Sequence, residues 1–126
     1  DHEIKIIYEL NASRKVSINT GNFQQIILNL INNSIDALTN TKKLNKNIVI
    51  KTSQTTNTTS LFVIDNGSGI PKNLEPFIFD LLKSTKPNGM GLGLWLSNYI
   101  AERHGGSLNY EVLNNGEICF SVTIPH

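Results

Sequence analysis

Three groups of residues have the types and spacing to do chemistry, and they come in a fixed order along the chain. Asn29, Asn33 and Asp36 stand inside the apolar run Phe23 to Leu38. Asp65-Asn66-Gly67-Ser68-Gly69-Ile70 follows the apolar stretch Leu61 to Ile64. Gly89-Met90-Gly91-Leu92-Gly93-Leu94 closes a polar segment that carries Ser84, Thr85 and Lys86. At about 100° per residue, a helix gathers Asn29, Asn33 and Asp36 into roughly one 60° sector beside its apolar stripe. A neutral amide offers a carbonyl oxygen able to ligate Mg²⁺, and an N–H₂ that can face phosphate without like-charge repulsion. An ordinary solvent-facing strip is the competing reading, although asparagine is a poor helix former and Asn29, Asn32 and Asn33 at mid-helix need a reason.

A carboxylate at the end of a buried strand, Asp65, can accept a hydrogen bond from an exocyclic amine such as that of adenine. Gly67 and Gly69 allow positive φ and let a flat base approach the backbone. A plain Asp-Asn-Gly turn would look the same. In the third group, alternate glycines leave backbone N–H groups bare, and a helix opening near Gly91 aims its N-terminus at the loop. That is a seat for phosphate, with Lys86 adding charge and Ser84 or Thr85 a hydroxyl. The alternative is a flexible loop before a helix. Each group is weak alone; together they describe a nucleotide pocket.

The elements that must position these groups follow from periodicity. Glu3 to Leu10 reads as a strand with Ile4, Ile6 and Tyr8 on one face, and Lys15 to Asn19 as a second short strand. A long helix follows, with Asn22 or Thr20 as N-cap and Phe23, Ile26, Ile27, Leu30, Ile31 and Leu38 on its apolar face. Asn47 to Ser53 and Ser60 to Asp65 read as strands joined by the polar stretch Gln54 to Thr59. Asn73 to Leu82 suits a short helix, and Lys83 to Met90 a mobile loop. A helix from Gly91 to His104 stops at Gly105-Gly106. A last hairpin joins Ser107 to Val112 with Glu117 to Ile124 through Asn114-Asn115-Gly116. The order predicts an α+β two-layer sandwich, a mixed, mostly antiparallel sheet covered on one face by about three helices.

Composition narrows the classes. The 126 residues suit one domain, 1–126, able to bury a core without staples. A net charge of +1 with no long Lys/Arg run gives no nucleic-acid footprint, and Lys42 and Lys43 read as a solvated helix end. The single cysteine, Cys119, reads as a buried structural thiol. No stretch reaches transmembrane length. The P-loop spacing is missing, and a dinucleotide fingerprint would need glycine where Leu94 stands. Nothing has zinc-ligand spacing or a nucleophile elbow.

In this order the motifs resemble those of the catalytic, ATP-binding domain of bacterial sensor histidine kinases, in the ATPase superfamily shared with gyrase B, MutL and a heat-shock chaperone. Gln25 to Leu38 is similar to the family's asparagine box, Asp65 to Gly69 to its first glycine box, Phe79 to Lys86 to its phenylalanine box and Gly89 to Leu94 to its second. His104 to Leu108 and Phe120 to Pro125 resemble its ending, so the likeness spans nearly the whole chain. It departs at Leu81 and Leu82, where proline and an aromatic are usual, and at Trp95, where a small residue is usual.

The resemblance implies a Bergerat-type ATP-binding fold and a protein histidine kinase domain of two-component signal transduction. Asn33 would hold Mg²⁺ on the triphosphate. Asn29 would take the place where gyrase-type relatives carry a glutamate base, which favours phosphoryl transfer over water attack. Asp65 would read the adenine amine, with Gly67, Gly69 and Ile70 beside the base. Gly89, Met90, Gly91, Leu92, Gly93 and Leu94 would line the phosphates, with Thr85 and Lys86 reaching them from a short lid over 71–90. Asp36 is a further phosphate or metal partner. Catalysis would rest on Asn29, Asn33 and Lys86, with ATP and Mg²⁺ as cofactors. The partners implied are ATP or ADP, a dimerisation and phosphoacceptor domain of the parent kinase and a response-regulator receiver domain, with no nucleic acid. The fragment would be a cytoplasmic monomer of a kinase that is itself free to carry a membrane anchor. Its rivals are a serine kinase of the anti-sigma-factor kind and a degenerate nucleotide- or partner-binding module.

Overall fold

The computed structural model describes residues 4–10, 20–39, 41–68, 73 and 90–125. Five strands and two helices are seen among them: β1 (Ile4–Leu10), α1 (Thr20–Thr39), β2 (Lys46–Gln54), β3 (Thr58–Asp65), α2 (Met90–Arg103), β4 (Ser107–Val112) and β5 (Ile118–Pro125). The sheet order is β1-β2-β3-β5-β4. Only β1 and β2 pair in parallel, bridged by α1; β2–β3, β3–β5 and β4–β5 are antiparallel. The mixed, mostly antiparallel sheet is the expected one. The short strand over Lys15 to Asn19 and the helix over Asn73 to Leu82 lie outside the described residues.

Alternation places one face of each strand on the helices. Ile48 and Ile50 of β2, Leu61 and Val63 of β3, Phe120, Val122 and Ile124 of β5 and Leu108 of β4 form one core with Ile26, Leu30 and Leu38 of α1 and Leu94, Ile100 and Ala101 of α2. Ile6 and Tyr8 register with Ile48 and Ile50 on that same face, yet they are 39% and 63% exposed. An apolar groove of about 490 Å³ runs there, lined by Tyr8, Leu10, Phe23, Ile27 and Ile31 among others.

Helix α1 begins at Thr20, so Asn22 sits inside its first turn and does not cap it. Its end is as expected: the Thr39 hydroxyl donates back to the Ile35 carbonyl at 2.7 Å, and Lys42 and Lys43 are exposed beyond it. Met90, expected at the end of the loop, is the first residue of α2. That helix stops in a Schellman arrangement: Gly106 N–H donates to the Ala101 carbonyl at 2.8 Å, and Gly105 N–H to that of Glu102 at 3.0 Å. Gly105 takes the left-handed conformation this requires, φ +77°. In the β4–β5 turn only Gly116 has positive φ, +86°, and Leu113 and Gly116 close the turn with a 2.9 Å bond. Trp95, whose bulk departs from the family pattern, stacks on Tyr99 with ring centroids 5.4 Å apart, along the partly exposed side of α2.

Candidate functional site

The end of β3 delivers Asp65 into the layer between sheet and helices, where it is 1% exposed. Its Oδ1 accepts the N–H of Gly67 at 2.8 Å. Burial holds the Asp65 carboxyl above the usual carboxylate range; Ser34 and the Gly67 N–H draw it down, Glu117 pushes it up and Lys43 lowers it. Ser34 is fully buried on the sheet-facing side of α1, and its hydroxyl makes no hydrogen bond of good geometry, although it lies near enough to favour the ionised carboxylate. Among the described residues this carboxylate has one close N–H donor and a hydroxyl beside it, and its other lone pairs can accept a further donor. The amine edge of a base would supply one.

One reason expected for Gly67, its conformational freedom, does not apply. Its φ is not positive, so the backbone conformation does not demand it. Space does: a Cβ there would fall 3.0 Å from Asp65 Oδ1 and 3.2 Å from the Ala37 Cβ. The turn after β3 is pressed against the end of α1. Asn66 ties it from the other side, its Nδ2 donating to the Asn45 carbonyl at 2.6 Å and its Oδ1 accepting the Asn47 N–H at 2.9 Å.

Along α1 the polar strip is present but graded. Asn29 and Asn33 are half-buried, whereas Asp36 is exposed. Gln25 Nε2 donates to Asn29 Oδ1 at 2.9 Å. The other end of that amide, Asn29 Nδ2, is buried without a hydrogen-bond partner. The first turns of α1 and the second half of α2 share a cavity of about 390 Å³, lined by Asn22, Gln25, Leu96, Tyr99 and Arg103 among others. The helices thus lie side by side with opposite ends together. One and two turns beyond Gln25, Asn29 and Asn33 advance toward the start of α2.

Met90, Gly91, Leu92 and Gly93 form the first turn of α2, and Leu94, 1% exposed, anchors it in the core. The free N–H groups of that turn suit phosphate. Gly69, Ile70, Thr85, Lys86 and Gly89 lie outside the described residues. An orphaned buried donor on Asn29 needs an acceptor, and a phosphate oxygen is one; the residues present therefore fit a nucleotide. No group of three or more His, Cys, Asp or Glu able to hold a metal occurs among the described residues, so a cation here would depend on carbonyl oxygen and on phosphate. No helix of the described residues is long and apolar enough to cross a membrane.

Gln25, Ser34 and Asn66 are site residues with no role assigned from the sequence, although Asn66 stands in the second of its three groups. Gln25 was open to discovery as the i−4 neighbour of Asn29, and Ser34 as a polar residue in an apolar stripe.

Comparison with known proteins gives the family and the fold. The family described as "Histidine kinase-, DNA gyrase B-, and HSP90-like ATPase" matches residues 19–126. The C4-dicarboxylate transport sensor protein DctS of Rhodobacter capsulatus is 31% identical over 102 residues, covering 81% of this chain and 16% of its own length. The chain spans at most a fifth of two further curated relatives, at 19% and 20% of their lengths. Among solved structures, the nucleotide-free catalytic domain of the histidine kinase ThkA superposes with a TM-score of 0.78 at 28% identity, covering 98% of this chain and 81% of that one. ThkA has also been solved in complex with the response regulator protein TrrA; that structure matches at a TM-score of 0.74 and 25% identity, covering 98% of this chain and 34% of that one.

Proposed function

This chain belongs to the histidine kinase-, DNA gyrase B- and HSP90-like ATPase family, and from that premise we propose that it is the catalytic domain of a sensor histidine kinase. It binds Mg-ATP and presents the γ-phosphate to a histidine on a separate dimerisation and phosphoacceptor domain. The single observation that carries the nucleotide reading is the orphaned Asn29 Nδ2 on α1, in a site that also holds the buried Asp65 carboxylate at the end of β3.

Asp65 accepts the adenine amine; burial raises its carboxyl, and the Ser34 hydroxyl beside it offsets part of that rise. Gly67 leaves room for the base, and Gly69 and Ile70 would stand beside it as the motif implies. The first turn of α2, from Met90 through Gly91, Leu92 and Gly93 to Leu94, offers its N–H groups to the phosphates, and Gly89, Thr85 and Lys86 would join them as the motif implies. Asn33 would hold Mg²⁺ through its carbonyl, and the ion when bound would neutralise phosphate charge. Asp36, exposed at the edge of the strip, is a secondary partner at most. Transfer rests on positioning and charge neutralisation, since an amide at Asn29 is no base for water. This favours a protein histidine over water as acceptor. The sensor kinases among its relatives, and the response regulator bound to ThkA, support a receiver domain as the downstream partner. The chain itself, 1–126, acts as one monomeric cytoplasmic domain of the parent kinase.

The test is an isothermal titration with ATP and GTP, with and without Mg²⁺, followed by transfer to an added phosphoacceptor domain. Adenine-selective, Mg²⁺-sensitive binding and an acid-labile phosphoprotein are expected. Acid-stable phosphoserine would move the reading to a serine kinase, and absent binding to a partner-binding module.

A further inference from the structure

Within the proposed nucleotide site, on whose reading this inference rests, we propose that Gln25 is a positioning residue. It anchors one end of the Asn29 amide, so that with a triphosphate in the site the other end faces it as a donor and not as a carbonyl.

The geometry is simple. Gln25 stands one helical turn before Asn29, and its Nε2 donates to Asn29 Oδ1 at 2.9 Å. That bond occupies the carbonyl end of the Asn29 amide. The opposite end, Nδ2, is left buried and without a hydrogen-bond partner. A buried donor without an acceptor is costly, so the arrangement favours an acceptor in the site. If both amides were turned over, the same pair could bond with Asn29 Oδ1 pointing into the site. A bare carbonyl beside phosphate oxygens would then repel them. Negative charge on the ligand thus selects the orientation seen.

The consequence is a division of labour between two asparagines one turn apart. Asn29 acts as a hydrogen-bond donor to a phosphate oxygen and ligates no metal. The carbonyl needed for Mg²⁺ falls to Asn33. A donor facing the γ-phosphate also cannot take a proton from water, so Gln25 helps to make the site poor at hydrolysis.

Gln25→Glu tests this with nearly the same shape. An ionised glutamate can only accept, so Asn29 must turn to donate to it, and its carbonyl swings toward the phosphates. Affinity for ATP and for adenosine is measured by titration in the wild type, Gln25→Glu, Asn29→Ala and the double variant, with the melting temperature of each. The expected result is a loss of about ten-fold or more in ATP affinity for Gln25→Glu, with adenosine affinity and melting temperature unchanged. In the Asn29→Ala background the same change should alter ATP affinity less than about three-fold, because there is no amide left to turn. An equal loss in both backgrounds would mean that the new charge simply repels phosphate, and would overturn the proposal. So would a Gln25→Glu protein that binds ATP like the wild type. A wild type that does not bind ATP would instead sink the nucleotide reading itself.

Discussion

Replacing Gly67 by alanine probes the tightest point of the site. The added Cβ would lie 3.0 Å from Asp65 Oδ1, 3.2 Å from the Ala37 Cβ and 3.3 Å from the Ala37 carbonyl carbon. The chain has two ways to relieve this. The end of α1 can move outward by a few tenths of an ångström, an overpacking cost of about 1–3 kcal/mol in stability. Alternatively Asp65 can rotate away and give up the 2.8 Å bond from the Gly67 N–H, a charge-assisted bond worth about 1.5–3 kcal/mol. Rotation also withdraws the carboxylate from the base, so ATP affinity should drop roughly ten- to a hundred-fold. A thermal melt and an ATP titration on the same variant separate the two routes. A shifted helix lowers the melting temperature by about 3 °C or more and spares affinity; a rotated carboxylate costs affinity as well. Gly116→Ala is the control, with φ +86° and no atom within 4 Å of the added carbon. It should cost about 1 kcal/mol in backbone strain and leave ATP binding alone. A Gly67→Ala protein with both its melting temperature and its ATP affinity unchanged would refute the argument from space.

The raised Asp65 carboxyl gives opposite pH trends for stability and binding. With the folded-state value above the unfolded one, its contribution to stability is present at low pH and is lost as pH rises through the folded value. Nucleotide affinity needs the ionised carboxylate, so it should fall on acidification at a pH above the ordinary aspartate range. Asp65→Asn should flatten both trends: melts near neutral pH equal to or above wild type, and ATP affinity down about ten-fold or more. A variant that binds ATP normally would end the base-reading role. Asn33→Ala should remove the Mg²⁺ dependence of ATP binding, measured by titration with and without the metal. Cys119, buried in β5 and with its thiol pushed up to about 11, should resist thiol reagents at neutral pH until the protein is denatured; rapid labelling of the native chain would contradict its burial.

What could be read from the sequence was whatever repeats locally. The helical period placed α1 and its polar strip, and alternation placed β2, β3 and β5 to within one or two residues at each end. Asn115-Gly116 and Gly105-Gly106 marked the last turn and the end of α2, because glycine is needed there for its φ. Positive φ is not what makes Gly67 a glycine, and its close contact with Ala37 joins segments far apart in the chain and leaves no local trace. Asn66 is a similar case, its partners Asn45 and Asn47 lying some twenty residues earlier. Asp36 shares the angular sector of Asn29 and Asn33, yet it is exposed, because periodicity fixes direction around a helix and not what covers each turn.

The Asn66 tether has a kinetic corollary. It joins the turn after β3 to the start of β2 through two hydrogen bonds, so in the proposed site the turn beside Asp65 would be held before any nucleotide arrives. Little ordering entropy is then spent there on binding, and the contact is the same for ATP, for the transition state and for ADP. Such uniform binding tightens the complex without speeding transfer. It also holds the product as firmly as the substrate. ADP should therefore compete well against ATP, and any acceleration of transfer must come from the phosphate end, where α1 meets the first turn of α2.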